Sequence, residues 1–185
     1  QKMGDVDTTI NSLKKILLLD KSNIECISKI YKLLLTKSLL DEALANINLI
    51  LRIDKDHYEA IRDKAYIYFL KNNFDKAKKY IDNISKLQEK DYFAYNIKGL
   101  IYFKNSNFHE AKNYFEQAIK INSKYVDSYN NLGICLLELE KLDEAYTVFK
   151  DAHEIESDNS KTIVNLGNVL SLQDKVLEAI KIYNK

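Results

Sequence analysis

The chain has 185 residues, of which 46% are apolar, and it contains no proline and only four glycines. This composition favours uninterrupted helices over a loop-rich or β-sandwich fold, because proline breaks helices and is common in turns. Its 28 basic and 27 acidic residues leave a net charge of +1, without the basic excess typical of nucleic-acid-binding domains. No apolar run approaches the roughly 20 residues that span a bilayer. We therefore expect neither a nucleic-acid partner nor membrane insertion.

A constant step of 34 residues organises the sequence. It is clearest in one row of alanines that never slips: Ala43, Ala77, Ala111, Ala145 and Ala179. Three glycines keep the same step: Gly99, Gly133 and Gly167. A row of large apolar residues also follows it: Leu13, Ile47, Ile81, Phe115, Phe149 and Tyr183. A fixed period of this length predicts a stack of repeated structural units.

Each unit is predicted to contain two helices. In the unit that starts at Tyr92, one apolar face is spaced by four and three residues: Tyr95, Gly99 and Tyr102. A polar break follows at residues 105–107. The same kind of spacing then marks a second helix: Phe108, Ala111, Phe115 and Ala118. Such spacing is typical of one buried helix face. Gly or Ala in the first helix is expected to face the alanine row of the second, so that the two backbones approach closely.

In chain order, these units predict one array over residues 1–185 with six parts. They are a half repeat at 1–23, full repeats at 24–57, 58–91, 92–125 and 126–159, and an incomplete repeat at 160–185. We therefore interpret the chain as part of a longer array or of a larger protein.

The period and the order of the Gly/Ala, Tyr/Leu, Ala, Phe and Ala rows resemble the tetratricopeptide repeat family over essentially the whole chain. The resemblance implies an all-α, right-handed superhelical solenoid of antiparallel helix pairs. The proline that the family places between units is absent, and three further positions depart from the family pattern. Tyr31 occupies the Gly/Ala row of the first helices, which we call the small row, and Lys64 and Lys98 replace an expected leucine. These departures predict disturbed packing in the first units.

Catalytic and metal-binding motifs are missing from the sequence. Cys26 and Cys135 lie far apart on predicted helices with no CxxC motif, and we interpret them as small buried apolar residues. His57, His109 and His153 fall in different rows, and no GxGxxG, P-loop, HExxH or GxSxG motif occurs. We expect no catalytic residues, no metal site, no cofactor and no enzyme activity in this chain.

The resemblance implies that the first helices line a concave groove. The helix face opposite the core rows carries an unusual number of apolar residues: Tyr66, Phe69, Phe93, Ile97, Leu100, Phe103, Ile134 and Leu137. Exposed apolar patches usually mark an interaction site. A helix of the same protein or a neighbouring copy could also cover them, and a different helical phase would place them in the core instead.

The same face carries a series of amides: Asn96, Asn130, Asn131, Asn165 and Asn168. An amide donates and accepts hydrogen bonds, so it can bind the backbone of an extended peptide without discriminating its sequence. The series resembles the asparagine ladders of some peptide-binding family members, although asparagine is also common in this row and in this chain. Of the positions used by the family's carboxylate clamp, only Asn131 and Lys161 fit, so we do not expect a C-terminal carboxylate ligand.

We therefore predict a scaffold whose groove binds a peptide or helix of a partner protein. One alternative is a self-assembling protein, in which the groove or an end packs on another copy to form a homo-oligomer. Another is the regulatory arm of a larger enzyme.

Overall fold

The computed structural model describes residues 3–84 and 90–184, with residues 3 and 4 described by their backbone alone. Parts of the predicted repeats 1–23, 58–91 and 160–185 lie outside the described residues. Within the described ranges the chain forms eleven α-helices and no strand. They are α1 (Met3–Leu19), α2 (Ile24–Thr36), α3 (Leu40–Ile53), α4 (Tyr58–Leu70), α5 (Phe74–Ile84), α6 (Tyr92–Lys104), α7 (Phe108–Ile121), α8 (Val126–Glu138), α9 (Leu142–Ile155), α10 (Ser160–Leu172) and α11 (Val176–Tyr183).

The helices form two compact units, unit 1 (Gln1–Leu87) and unit 2 (Gln88–Lys185). Unit 1 contains α1 to α5, and unit 2 contains α6 to α11. Within each unit every helix packs on the next, and in unit 2 α8 also contacts both α6 and α10. The predicted all-α fold of stacked helix pairs is confirmed. The exact repeat boundaries stay a prediction.

The turn inside each pair contains one residue in the left-handed backbone region, with φ between 57° and 60°. These residues are Ser38, Asn72, Ser106, Glu140 and Asp174. In the turn after α8, the Lys141 N–H donates to the Leu136 carbonyl at 2.8 Å, and the Glu140 N–H donates to the Leu137 carbonyl at 3.0 Å. This is the Schellman arrangement, which satisfies the last carbonyls of a helix. None of the five residues is the glycine that this backbone conformation favours.

Side chains cap most of the first helices. The N-cap residues Asn23, Asp91 and Asn159 accept hydrogen bonds from backbone N–H groups at the starts of α2, α6 and α10. His57 does the same for α4 through Nδ1, which accepts from the Ala60 N–H at 3.3 Å. These bonds satisfy donors that a helix leaves unpaired at its N-terminus. They fix where these four first helices begin.

The small row of the first helices makes room for an aromatic ring of the second helices. A Cβ atom built on Gly133 would lie 2.4 Å from the Phe149 ring, and one built on Gly99 would lie 2.4 Å from Phe115. Both rings are fully buried. The nearest neighbours of the small row are thus the aromatic residues and not the alanine row that the sequence suggested. The size of the ring explains why these positions hold glycine.

Tyr31 is accommodated inside unit 1. Its side chain is 0% exposed, and its hydroxyl donates to the Asp63 carboxylate at 2.9 Å. Burial and the neighbouring carboxylate raise the pKa of the Tyr31 phenol. The position that holds Phe115 or Phe149 in unit 2 holds the smaller Ile47 here, which leaves space for the tyrosine ring.

The two lysines that replace leucine are also accommodated. The Lys64 Nζ lies 4.6 Å from the centroid of the Tyr80 ring, which stacks on Tyr68 at 5.5 Å. In unit 2 the Lys98 Nζ lies 5.7 Å from the Tyr114 centroid. A cation over an aromatic face is attracted by the ring quadrupole. The two repeats that carry lysine at this position thus each carry a tyrosine in the second helix whose ring lies beside the lysine, and both lysines are accommodated.

Both cysteines are free and buried, as the sequence predicted. The Cys135 Sγ donates to the Phe108 carbonyl at 3.1 Å. Burial raises the pKa of the Cys135 thiol to about 11, so the thiol stays protonated and unreactive at neutral pH.

Candidate functional site

Asparagine side chains join the first helices of unit 2. Asn96 in α6 is 3% exposed. Its Oδ1 accepts hydrogen bonds from Ser128 Oγ at 3.1 Å and from Asn131 Nδ2 at 2.9 Å, both in α8. A buried amide oxygen needs such partners. The two bonds therefore fix the position of α8 on α6.

The arrangement recurs one repeat later. Asn130 in α8 donates through Nδ2 to Thr162 Oγ1 at 2.9 Å and accepts from Asn165 Nδ2 at 3.1 Å. Both partners are in α10, so one asparagine again connects two first helices. We call these six residues the amide ladder: Asn96, Ser128, Asn130, Asn131, Thr162 and Asn165.

Three predicted groove residues are buried. Asn96 and Asn130 are each 3% exposed, because their amides bind the next helix. Ile97 is 0% exposed. The expectation that Asn96 and Ile97 face an open groove is wrong, because both are enclosed in the stack of helices. Asn130 is also part of the stack, but it contributes to the lining of a pocket.

An open pocket of about 430 Å³ lies between α8 and α10. Four predicted site residues contribute to its lining: Asn130, Asn131, Ile134 and Asn165. Four further residues complete it: Asp127, Ser160, Lys161 and Val164. We call this the amide pocket. In unit 2 the structure therefore places three of the predicted amides beside one residue of the predicted apolar series, Ile134. Their use as a peptide-binding groove stays a prediction.

Charges at the amide pocket are loosely paired. The Asp127 carboxylate lies 3.6 Å from the Lys161 Nζ, and their side chains are 48% and 77% exposed. This separation is too long for a hydrogen bond, and ion pairs so open to solvent contribute little stability. Val164 adds an apolar contact surface that is 49% exposed.

Two charged residues of the amide pocket lie on the same helix face as its amides. Asp127 precedes Asn131 by four residues, and Lys161 precedes Asn165 by four. Residues four apart lie on the same helix face. Helical spacing therefore places both charges on the predicted groove face, although neither was among the residues predicted to bind a peptide.

Models of the tetratricopeptide repeat match this sequence at residues 59–91, 92–125 and 114–147. The chain belongs to the tetratricopeptide repeat family. The match at 92–125 coincides with one predicted repeat and contains α6 and α7. No curated protein matches the sequence at a significant level.

Solved structures of other tetratricopeptide repeat proteins are similar to this chain. A tetratricopeptide repeat protein from Parabacteroides merdae aligns with a TM-score of 0.81 and 18% identity, covering 98% of this chain and 71% of that one. MamA aligns with a TM-score of 0.68 and 21% identity, covering 84% and 91%. YrrB, described as having an unusual peptide-binding site, aligns with a TM-score of 0.63 and 19% identity, covering 93% and 89%. At these identities the likeness concerns the fold. With the family membership, it supports a protein-interaction scaffold.

Several apolar residues predicted for the groove of this tetratricopeptide repeat array also support its core. Leu100, Phe103 and Ile134 are half-buried and pack against the core of unit 2. The Phe103 ring also contacts Phe108, with 5.3 Å between centroids. The expectation that these three side chains stand outside the stack is wrong, because each has one side on the core. Phe93 is half-buried as well and contributes a ring contact within unit 2.

The remaining predicted residues are not part of the amide pocket. Tyr66 and Phe69 are half-buried in α4 of unit 1, where Phe69 contacts Phe74 with 5.7 Å between ring centroids. Their participation in one groove with residues of unit 2 stays a prediction. Asn168 is exposed in α10, and its Oδ1 accepts a hydrogen bond from the Tyr183 hydroxyl at 2.7 Å.

None of the helices in the described ranges is both long and apolar enough to cross a membrane.

Among residues 3–84 and 90–184, no group of His, Cys, Asp and Glu side chains is placed to bind a metal ion.

Proposed function

We propose that this tetratricopeptide repeat chain is a scaffold without catalytic activity, and that the amide pocket binds an extended peptide segment of a partner protein. The observation that supports this best is the pocket itself. Two half-buried amides, Asn131 and Asn165, line it beside the exposed side chain of Val164. Polar groups that fix orientation and an apolar surface that supplies contact area are the usual elements of a binding site.

An extended peptide suits this combination. Its backbone presents N–H and carbonyl groups that amide side chains can bind, and its side chains alternate in direction. One side chain can therefore enter the pocket while the backbone runs over the amides. Ile134 and Val164 would contact the apolar part of that side chain. The half-buried Phe93 and Leu100 of α6 are further candidates for contact with the same peptide.

The proposal predicts that filling the pocket abolishes peptide binding. Short peptides selected from a random phage-displayed library against the full chain would be labelled with fluorescein and titrated by fluorescence anisotropy. Val164→Trp places a large ring in the pocket at a position that is 49% exposed, so folding should be retained. We expect binding to weaken by about tenfold or more, because a tenfold change corresponds to about 1.4 kcal/mol and loss of a hot-spot contact costs about 2 kcal/mol or more.

A matched control uses another exposed apolar residue. Leu177 in α11 is 77% exposed and does not line the pocket, so Leu177→Trp should bind the selected peptides like the parent chain. Equal binding by both variants would refute the proposal. Light scattering on the same samples tests the alternative function. A parent oligomer that Val164→Trp converts to monomer would favour self-assembly through this surface.

A further inference from the structure

We infer that the side chain that enters the amide pocket is basic, a lysine or an arginine of the partner peptide. This inference rests on the proposed function and specifies its ligand. It follows from the hydrogen-bonding capacity that the amide ladder leaves unused and from the position of Asp127.

The amide ladder leaves oxygen atoms available in the pocket. Asn131 and Asn165 each turn Nδ2 toward the preceding first helix, where it donates to Asn96 or Asn130. No described residue donates a hydrogen bond to the Oδ1 atom of either side chain, and neither oxygen is enclosed. A carbonyl oxygen only accepts hydrogen bonds. The two outer amides therefore offer acceptors to a guest.

Asp127 adds a negative charge on the same side. Its carboxylate is 48% exposed, and its nearest cation, Lys161, is 3.6 Å away with a side chain that is 77% exposed. Because this pairing includes no hydrogen bond, an incoming cation can replace Lys161 at small cost. The guest would then meet one carboxylate and two carbonyl oxygens.

A basic side chain matches this set of acceptors, whereas an acidic one does not. Lysine and arginine carry only donors at their charged end. Their methylene stems can lie along apolar surface, which Ile134 and Val164 provide. A guest carboxylate could pair with Lys161, but it would face Asp127 and two further oxygens. Arginine should bind best, because its planar group donates to several acceptors at once.

The test compares versions of one selected peptide that differ at the residue entering the pocket. Arginine, lysine, glutamine and glutamate versions would be titrated against the full chain by fluorescence anisotropy at low salt. We expect the arginine version to bind about tenfold more tightly than glutamine, as for one hydrogen bond to a charged group, with glutamate the weakest. Asp127→Asn should remove that advantage without changing affinity for the glutamine version.

Two control variants separate charge from folding. Glu110 occupies the first turn of α7, as Asp127 does in α8, but lies outside the pocket. Glu110→Gln should therefore retain the arginine preference. Lys161→Gln removes the competing cation and should bind the arginine version at least as tightly as the parent does.

Three results would overturn the inference: tighter binding of the glutamate version, an arginine preference that survives Asp127→Asn, or weaker arginine binding in Lys161→Gln. If all four versions bind equally and Val164→Trp still blocks them, the inference fails and the proposed function stands. If Val164→Trp has no effect, or no peptide binds, both fail.

Discussion

The larger of the two facing side chains belongs to the first helix in the α2–α3 pair of unit 1 and to the second helix in the α8–α9 pair of unit 2. In α2 of unit 1, Tyr31 is fully buried and Ile47 of α3 takes the position opposite. In α8 of unit 2, Gly133 is opposite the buried ring of Phe149. Protein interiors are close-packed, so volume lost in one row must be replaced in the other. The size of the residue in the small row is therefore matched by the size of the residue opposite it in the second helix.

The polar links between first helices differ in the same way. In unit 1 the link includes a charge, because the buried Asp63 carboxylate of α4 accepts from the Tyr31 hydroxyl of α2 and from Arg62 Nε of its own helix, at 2.9 Å each. In unit 2 the corresponding links are neutral amides and hydroxyls. A buried charge that loses its partners costs more free energy than a buried amide that loses them. An amide can also keep an oxygen acceptor available for a ligand. The amide pocket lies beside the neutral links of unit 2.

The largest expected effect follows from removing the buried Asp63 carboxylate. Asp63→Ala leaves the buried Tyr31 hydroxyl and the Arg62 guanidinium without this carboxylate, and we expect it to lower the free energy of unfolding by about 3 kcal/mol. Asn130→Ala, which breaks a neutral link in unit 2, should cost only about 1–2 kcal/mol. Urea unfolding gives both values, and hydrogen exchange should locate the Asp63→Ala loss in α2 to α4. Equal losses in the two variants would contradict the comparison.

A smaller effect tests whether a larger residue in the small row can be offset by a smaller residue opposite it in the second helix. Gly133→Ala places a Cβ 2.4 Å from the Phe149 ring, and overpacking of this kind should cost about 2 kcal/mol. Adding Phe149→Ile recreates the Ala65 and Ile81 combination of unit 1, so it should recover part of that loss. Urea unfolding of the two single variants and the double variant gives the coupling energy. Strictly additive losses would show that the rows do not compensate each other.

The sequence predicted the helix pairs because the 34-residue rows are independent and agree, but it predicted the candidate site only in part. Ile97, Asn131 and Asn165 occupy the same row. Ile97 is nevertheless fully buried, whereas Asn131 and Asn165 line the amide pocket. Helical spacing gives the direction of a side chain on its own helix and not how far the next helix covers it. It also could not show that Asn96 and Asn130 would bind the neighbouring helix. Their partners Ser128 and Thr162 are not in the same row of the next repeat but two residues before it.

The smallest expected effect concerns the turn residues in the left-handed region. Glu140 in unit 2 has φ 59° and Asn72 in unit 1 has φ 57°. This conformation costs most residues about 1 kcal/mol, but glycine adopts it freely and asparagine tolerates it. Glycine also gives the unfolded chain more entropy. Glu140→Gly should therefore raise the free energy of unfolding by only about 0.5 kcal/mol, and Asn72→Gly should change it hardly at all. Urea unfolding of both variants provides the comparison. A gain at Asn72 as large as that at Glu140 would mean that backbone strain does not distinguish the two turns.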